Sequence, residues 1–304
     1  MAISRAQLVK ELEPGLNALF GLEYKRYENQ HAEIYTVESS DRAFEEEVML
    51  SGFANAEVKA EGSGVSFDEA QETYTARYTH DTIALAFAIT EEAIEDNLYD
   101  RLASRYTKAL ARSMSNAKQV KAVTPLIQGL PSTDNFDSGD AVSLFSTNHT
   151  TVSGTAVKNT LTTQADLNET SLEQGLIDIA GMTDERGLRV AARGMKMIVP
   201  SANQFAAERL LKSQGRTGTA DNDINAVVSM GMIPQGYRVN NFLTDTDSWY
   251  IITDVPNGMK MFQRAALKTA MEGDFDTGNV RYKARERYSF GVSDYRGIFG
   301  VEGA

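Results

Sequence analysis

The stretch TEEAIEDNLYDRLASRYTKALARSMSNAK, residues 90–118, decides how the rest of the chain is read. Thr90 is a good helix N-cap, and Glu91, Glu92, Glu95 and Asp96 crowd the first turns, where free backbone N–H groups favour negative charge. Ile94, Leu98, Leu102, Tyr106 and Leu110 follow at four-residue steps, and Met114 and Ala117 continue the apolar stripe. After Asp100 the charges change sign, through Arg101, Arg105, Lys108, Arg112, Lys118 and Lys121. Acid at the start and base at the end match the helix dipole. Pro125 lies near the expected end. Such a helix would be about 45 Å long at 1.5 Å per residue, long enough to act as a strut.

Upstream, residues 45–89 read as extended structure. Gly52 and Gly62-Ser63-Gly64 are flexible points, and Tyr74, Ala76 and Tyr78 alternate with polar residues. Ile83, Leu85, Phe87 and Ile89 repeat the two-residue period, so a long two-stranded excursion followed by a core strand is expected. Nearer the N-terminus, Ser4 can cap a short helical turn to Leu12, which Pro14-Gly15 should end. Leu16, Leu19, Phe20 and Leu22 then form an apolar patch that needs a partner, on its own domain or on a neighbouring subunit. Downstream, residues 129–170 are rich in Gly, Ser, Thr, Asn and Asp and read as a long loop, with room for a hairpin. A new compact unit starts at Leu172, with a helix through Leu176 and Ile179, a strand Lys196–Val199 ended by Pro200, and a helix through Phe205 and Leu210. Strands are expected at 237–239, 249–252 and 259–262, and one or two closing strands between Val280 and Phe299.

Composition narrows the chemistry. The 304 residues carry a net charge of −12, which argues against a protein whose main task is gripping phosphates. There are no cysteines, which excludes disulfides, thiolate metal sites and cysteine nucleophiles, and His31, His80 and His149 are far apart in sequence. Met1 to Arg5 leads into Glu11 and Glu13 without an apolar run, so neither a secretory signal nor a membrane span is expected. Gly215-Arg216-Thr217-Gly218-Thr219 lacks the lysine of a phosphate loop and reads as a surface loop; no nucleophile elbow or His-Glu-x-x-His helix occurs. Glu45-Glu46-Glu47 and Glu272, Asp274, Asp276 are candidate cation ligands, with a solvated face as the simpler reading. No cofactor and no catalytic or metal site is expected, and the chain does not read as an enzyme.

Several stretches together resemble the major head proteins of tailed bacteriophages, including the Mu-like head-subunit group. They are Phe87-Ala88-Ile89-Thr90-Glu91-Glu92 with Glu95 to Tyr99, Leu144-Phe145-Ser146-Thr147-Asn148-His149, Thr219 to Ala226, Leu243 to Tyr250 and on through Phe262, and Phe275 to Lys283 continuing to Gly297. The resemblance implies an α+β, Hong Kong 97-type capsid fold. Its parts would be an N-arm at 1–44, an extended E-loop at 45–82, a peripheral domain at 83–128 and 264–304 with the spine helix at about 90–118, an inserted loop or hairpin at 129–171, and an axial domain at 172–263. The implied function is a shell subunit that self-assembles as hexamers and pentamers into an icosahedral or prolate head around double-stranded DNA, without sequence-specific binding. Portal, scaffold and decoration proteins are the implied partners, the virion is the implied location, and assembly would take place in the host cytoplasm. Intersubunit contacts are expected at Leu16, Leu19, Phe20, Leu22, Lys59, Arg105 and Arg112. Lys59 falls in the E-loop-like stretch, but no asparagine and glutamate match the isopeptide crosslink that some members form. The alternatives are an encapsulin-like nanocompartment shell, a tail or connector protein, and a metal-dependent enzyme built on the carboxylate clusters.

Overall fold

The structure, a computed structural model, describes residues 5–90, 92, 99–133, 135–215, 223–274 and 278–304. Helix α1 (Arg5–Arg26) leads to strand β1 (Thr36–Ser39), a hairpin of β2 (Phe44–Leu50) and β3 (Glu72–Thr79), and β4 (Asp81–Ile89). The long helix α2 (Tyr99–Gln128) follows, then a two-residue ladder of β5 (His149–Thr150) and β6 (Ala156–Val157) and helix α3 (Glu169–Ala180). Next come β7 (Gly194–Val199), α4 (Gln204–Lys212), α5 (Ala226–Ser229), β8 (Tyr237–Val239) and β9 (Trp249–Thr253). The chain finishes with β10 (Met259–Gly273), β11 (Val280–Val292) and β12 (Ile298–Val301).

Two four-stranded sheets organise these elements, one ordered β1-β10-β11-β4 and the other β12-β9-β7-β8. The first sheet lies against both long helices: Ile89, Tyr282 and Ala284 of the sheet are buried with Ala103, Leu110, Ala111 and Met114 of α2 and Leu16 and Phe20 of α1. The second sheet builds the larger core, where Trp249, Tyr250, Met197 and Phe299 meet Leu172 and Leu176 of α3. Asn168 starts α3 with a reciprocal cap: its Oδ1 accepts from the Ser171 N–H at 2.9 Å, and Ser171 Oγ accepts from the Asn168 N–H at 3.0 Å.

Proline did not stop either helix where the sequence suggested. Helix α1 runs through Pro14 for 22 residues instead of ending near Leu12. Beyond Pro14, Leu16 and Phe20 bury against α2, and Asn17 Oδ1 accepts from Thr269 Oγ1 at 2.7 Å and Tyr282 Oη at 2.8 Å, which offsets the backbone bond that proline forfeits. Helix α2 continues past 118 and past Pro125 to Gln128, because Ala122, Val123 and Leu126 sit in the main core. It ends at Gly129, where a Cβ would lie 2.6 Å from Leu144 Cβ and 2.7 Å from the Pro125 carbonyl oxygen. The expected cap at Thr90 and its acidic turn at Glu91, Glu95 and Asp96 lie outside the described residues, save that Thr90 and Glu92 are exposed. Phe275 to Thr277 and most of the 215–219 loop also lie outside them.

The domain ranges divide differently in space. The 263/264 boundary falls inside β10, and β12, at the end of the 264–304 range, pairs with β9 in the second sheet. The inserted stretch 129–171 is irregular yet packed: Leu144 and Phe145 are fully buried. Asn159 stitches it to the C-terminal segment by donating to the carbonyls of Leu144 at 2.7 Å and Tyr295 at 3.0 Å.

Two outcomes follow for stability. A Cβ at Gly300 would meet the Phe145 ring at 2.5 Å, whereas one at Gly21, in α1, meets nothing within 4 Å. Thermal unfolding should show Gly300→Ala destabilised by roughly 1–3 kcal/mol, and Gly21→Ala stabilised by roughly 0.5–1 kcal/mol. His31 is buried edge-on to Phe290, and burial, with the nearby Lys118 ammonium, lowers its pKa to about 4. The unfolded chain protonates this residue near 6.5, so below that pH the unfolded state binds the extra proton and stability falls until about pH 4. His31→Gln should remove on the order of 2–3 kcal/mol of that acid-limb loss and leave stability above pH 7 little changed, as read from denaturant midpoints across pH.

Candidate assembly surfaces

The β2–β3 hairpin stands on a polar clamp. Alternation along β2 sends neighbouring glutamates to opposite sides, so Glu45-Glu46-Glu47 is neither a cation site nor a uniformly solvated face. Glu46 faces outward, 3.6 Å from Arg77. Glu45 accepts from Ser40 Oγ at 2.7 Å. Glu47 accepts from Lys260 Nζ at 2.5 Å and from Ser293 Oγ, while Tyr78 Oη lies 2.5 Å from the same Ser293 hydroxyl. Burial alone would lower the Lys260 ammonium, but hydrogen bonds from it to Glu47 and Glu38 outweigh that and raise its pKa above the ordinary value. The Tyr78 ring packs edge-on against Phe262 at 4.8 Å. The hairpin base is thus fixed to β10 and to the residue that follows β11.

Between the two strands runs an irregular excursion, residues 51–71. It is closed at its root, where the Ser51 N–H donates to the Gln71 carbonyl at 2.8 Å and the Gln71 N–H donates to Ser51 Oγ at 2.9 Å. Farther out, Asp68 accepts from the Ala54 N–H at 2.7 Å, and Arg186 donates to the Glu69 carbonyl at 2.5 Å. Phe53, Val58, Val65 and Phe67 nonetheless remain in solvent, Val58 at 100% and Phe67 at 98% relative exposure. Covering such side chains is worth about 1.5–3 kcal/mol each, so this excursion is shaped for a partner. Lys59 is exposed on it.

The other residues named from sequence separate by burial. Leu16 and Phe20 are consumed inside the subunit and Leu19 is half-buried, so of that apolar patch Leu22 is the one left open, at 72%. Arg105 and Arg112 are exposed on α2, whereas Lys118 of the same helix turns inward to Glu286 at 3.0 Å. These residues occupy α1, the excursion and α2 and do not converge on one pocket. Among the described residues, no three histidine, aspartate or glutamate side chains gather as metal ligands, and no helix is long and apolar enough to cross a membrane. Sequence reading missed the basic row on β11, Arg281, Lys283, Arg285 and Arg287. The signal was present as a cation at every second residue.

Residues 73–301 match the family described as phage capsid protein. No curated protein matches the chain. The fold is similar to the procapsid protein of bacteriophage JBD30, at TM-score 0.55 and 14% identity over 99% of this chain and 77% of that one. It is also similar to the capsid of Myoviridae phage XM1, at TM-score 0.52 and 10% identity over 89% and 90%. A virus-like particle from Pyrococcus furiosus gives TM-score 0.51 and 11% identity over 95% and 98%. At such identities the likeness is one of fold, and the family match favours a phage shell over the nanocompartment alternative. From the family match and the shared architecture together, the chain belongs to the phage capsid protein family and is a shell subunit of the Hong Kong 97-type fold.

Proposed function

We propose that this chain is the major head subunit of a tailed phage, joining copies of itself as hexamers and pentamers into a closed shell around double-stranded DNA. The observation that carries this reading, beside the family, is the excursion 51–71: its root is hydrogen-bonded and its apolar side chains lie almost wholly in solvent. A lone subunit has no use for that arrangement, whereas a closed shell needs many repeated contacts between copies. In this reading residues 45–82 are the E-loop that overlies a neighbour, 1–44 the N-arm, α2 the spine of a peripheral domain, and 172–263 the axial domain around the symmetry axes. Leu22 and Lys59 would face neighbouring copies. Portal, scaffold and decoration proteins would be the further partners, the subunit would be made and assembled in the host cytoplasm, and no enzymatic step is assigned to it.

The acidic wall fits a container for DNA. A net charge of −12 does not trap the polymer that must later be released. Negative-stain images of the purified assembly test the reading directly: closed shells are expected, and tubes, rings or monomers alone would overturn it. The exposed cations of α2 are assigned to contacts between copies. Reversing both, Arg105→Glu with Arg112→Glu, should lower shell yield by about tenfold while leaving subunit unfolding within about 0.5 kcal/mol of the parent, since exposed charges contribute little to folding. Unchanged yield and shell stability would remove α2 from the contact set.

A further inference from the structure

Two fastenings hold the excursion to its own subunit, and a glycine lies between them. The first is the root at Ser51 and Gln71. Just beyond it Gly52 sits in the left-handed region at φ 68°, and a Cβ there would meet nothing within 4 Å, so the chain has room to pivot. The second fastening lies farther out. Asp68 spans the excursion there, its Oδ2 accepting from the Ala54 N–H at 2.7 Å and its Oδ1 from the Glu69 N–H at 2.9 Å. The Ala54 N–H, with Glu69 and Arg186 behind it, holds the Asp68 carboxyl below its ordinary value and therefore ionised at neutral pH. Arg186 arrives from the distant segment between α3 and β7. Its guanidinium donates to the Glu69 carbonyl at 2.5 Å and lies 3.6 Å from Asp68 Oδ1.

A rigid turn delivers that guanidinium. Asp184 Oδ1 accepts from the N–H groups of Arg186 at 2.9 Å and Leu188 at 2.7 Å, and the Asp184 N–H donates to the Leu188 carbonyl at 2.8 Å. The neighbouring Glu185 is 3% exposed, lies 3.8 Å from Arg296, and accepts through its carbonyl from the Ser153 N–H at 3.0 Å. The turn closes through these bonds without help from the Arg186 side chain. The contact also leaves Phe53, Val58, Val65 and Phe67 in solvent, so it buries little and fixes direction instead. We propose that Arg186 is the positioning residue of the excursion: within one subunit, before any neighbour is met, it sets the angle at which the chain beyond Gly52 leaves the hairpin. The proposal rests on the shell reading. A loop that must be ordered during association loses part of the gain to entropy, whereas a loop already aimed does not. A carbonyl and a carboxylate on adjacent residues suit the planar fork of arginine, and a lysine ammonium would serve one of them at a time.

The test joins the motion of the excursion to the rate of assembly, both in the full chain. The sequence has no cysteine, so Ser63→Cys takes a single fluorophore on the exposed part of the excursion. Fluorescence anisotropy of labelled subunits, kept too dilute to form shells, reads its segmental motion. Light scattering of unlabelled protein reads assembly. Arg186→Ala should lower the residual anisotropy of the probe, slow assembly about tenfold, and leave the unfolding midpoint unchanged. Arg186→Lys should fall between the alanine variant and the parent in both readouts. Asp68→Ala, on the excursion and away from the core, should repeat both effects, which keeps the test decisive where Arg186→Ala fails to fold. Unchanged anisotropy, or assembly at the parent rate from a loosened excursion, would overturn the positioning role and leave the shell reading standing. Assembly faster than the parent would make the contact a restraint and overturn the role as well. A parent chain that forms no shells would overturn the shell reading, and the positioning role with it.

Discussion

The pairing of β10 with β11 constrains everything else in this subunit. The ladder links the first sheet to the second, since β10 starts beside the end of β9 and the chain after β11 passes into β12. Its helix-facing side carries Glu286, fully buried, and both long helices answer that one carboxylate. Lys118 of α2 approaches to 3.0 Å, and the Tyr24 hydroxyl of α1 donates at 3.3 Å. Burial and the adjoining carboxylate keep Tyr24 protonated well above its ordinary range. A buried carboxylate deprived of its partner costs roughly 3–5 kcal/mol, so the point fixes how α1, α2 and the sheet sit on one another. It is a positional constraint more than a source of stability, because the pair has first to be taken out of water.

Strands and helices were legible where periodicity was strong. The alternation at 83–89 and the apolar runs at 196–199 and 249–252 report true strands, and the four-residue stripe of α2 reports a true helix. Helix ends were not legible, because Pro14 and Pro125 are local signals overruled by burial on distant elements. The apolar run from Leu16 to Leu22 showed that a partner was needed without saying whose: Leu16 and Phe20 found it in α2, and Leu22 did not. The same limit hid the β11 row. A cation at every second residue announces a strand with one charged face, but only the register shows that Ala84, Ala86 and Ala88 lie beside it on one edge and Glu272 beside Arg281 on the other. Face identity depends on pairing across most of the chain, which no local window contains.

For a subunit of this family, function is distributed over surfaces, and the structure shows how those surfaces are kept apart from the core. The hairpin root is tied down through Glu47, Lys260, Ser293 and Tyr78, so the excursion projects from a rigid base while its own contacts stay few. Buried polar groups hold the fold, and bare apolar side chains lie on the excursion and also at Leu22, Ile177, Phe205, Ile224 and Met230.

The order of the strands also governs when the fold can form. The strand β1 pairs with β10, and β4 with β11, so residues made early in translation wait for residues made near the end. Closing such loops carries an entropic cost before any contact rewards it, and topologies of this kind fold slowly. A nascent chain therefore lacks the first sheet, with its cation row, until synthesis is almost finished. Truncated chains from interrupted translation that stop before β10 and β11 cannot form that sheet.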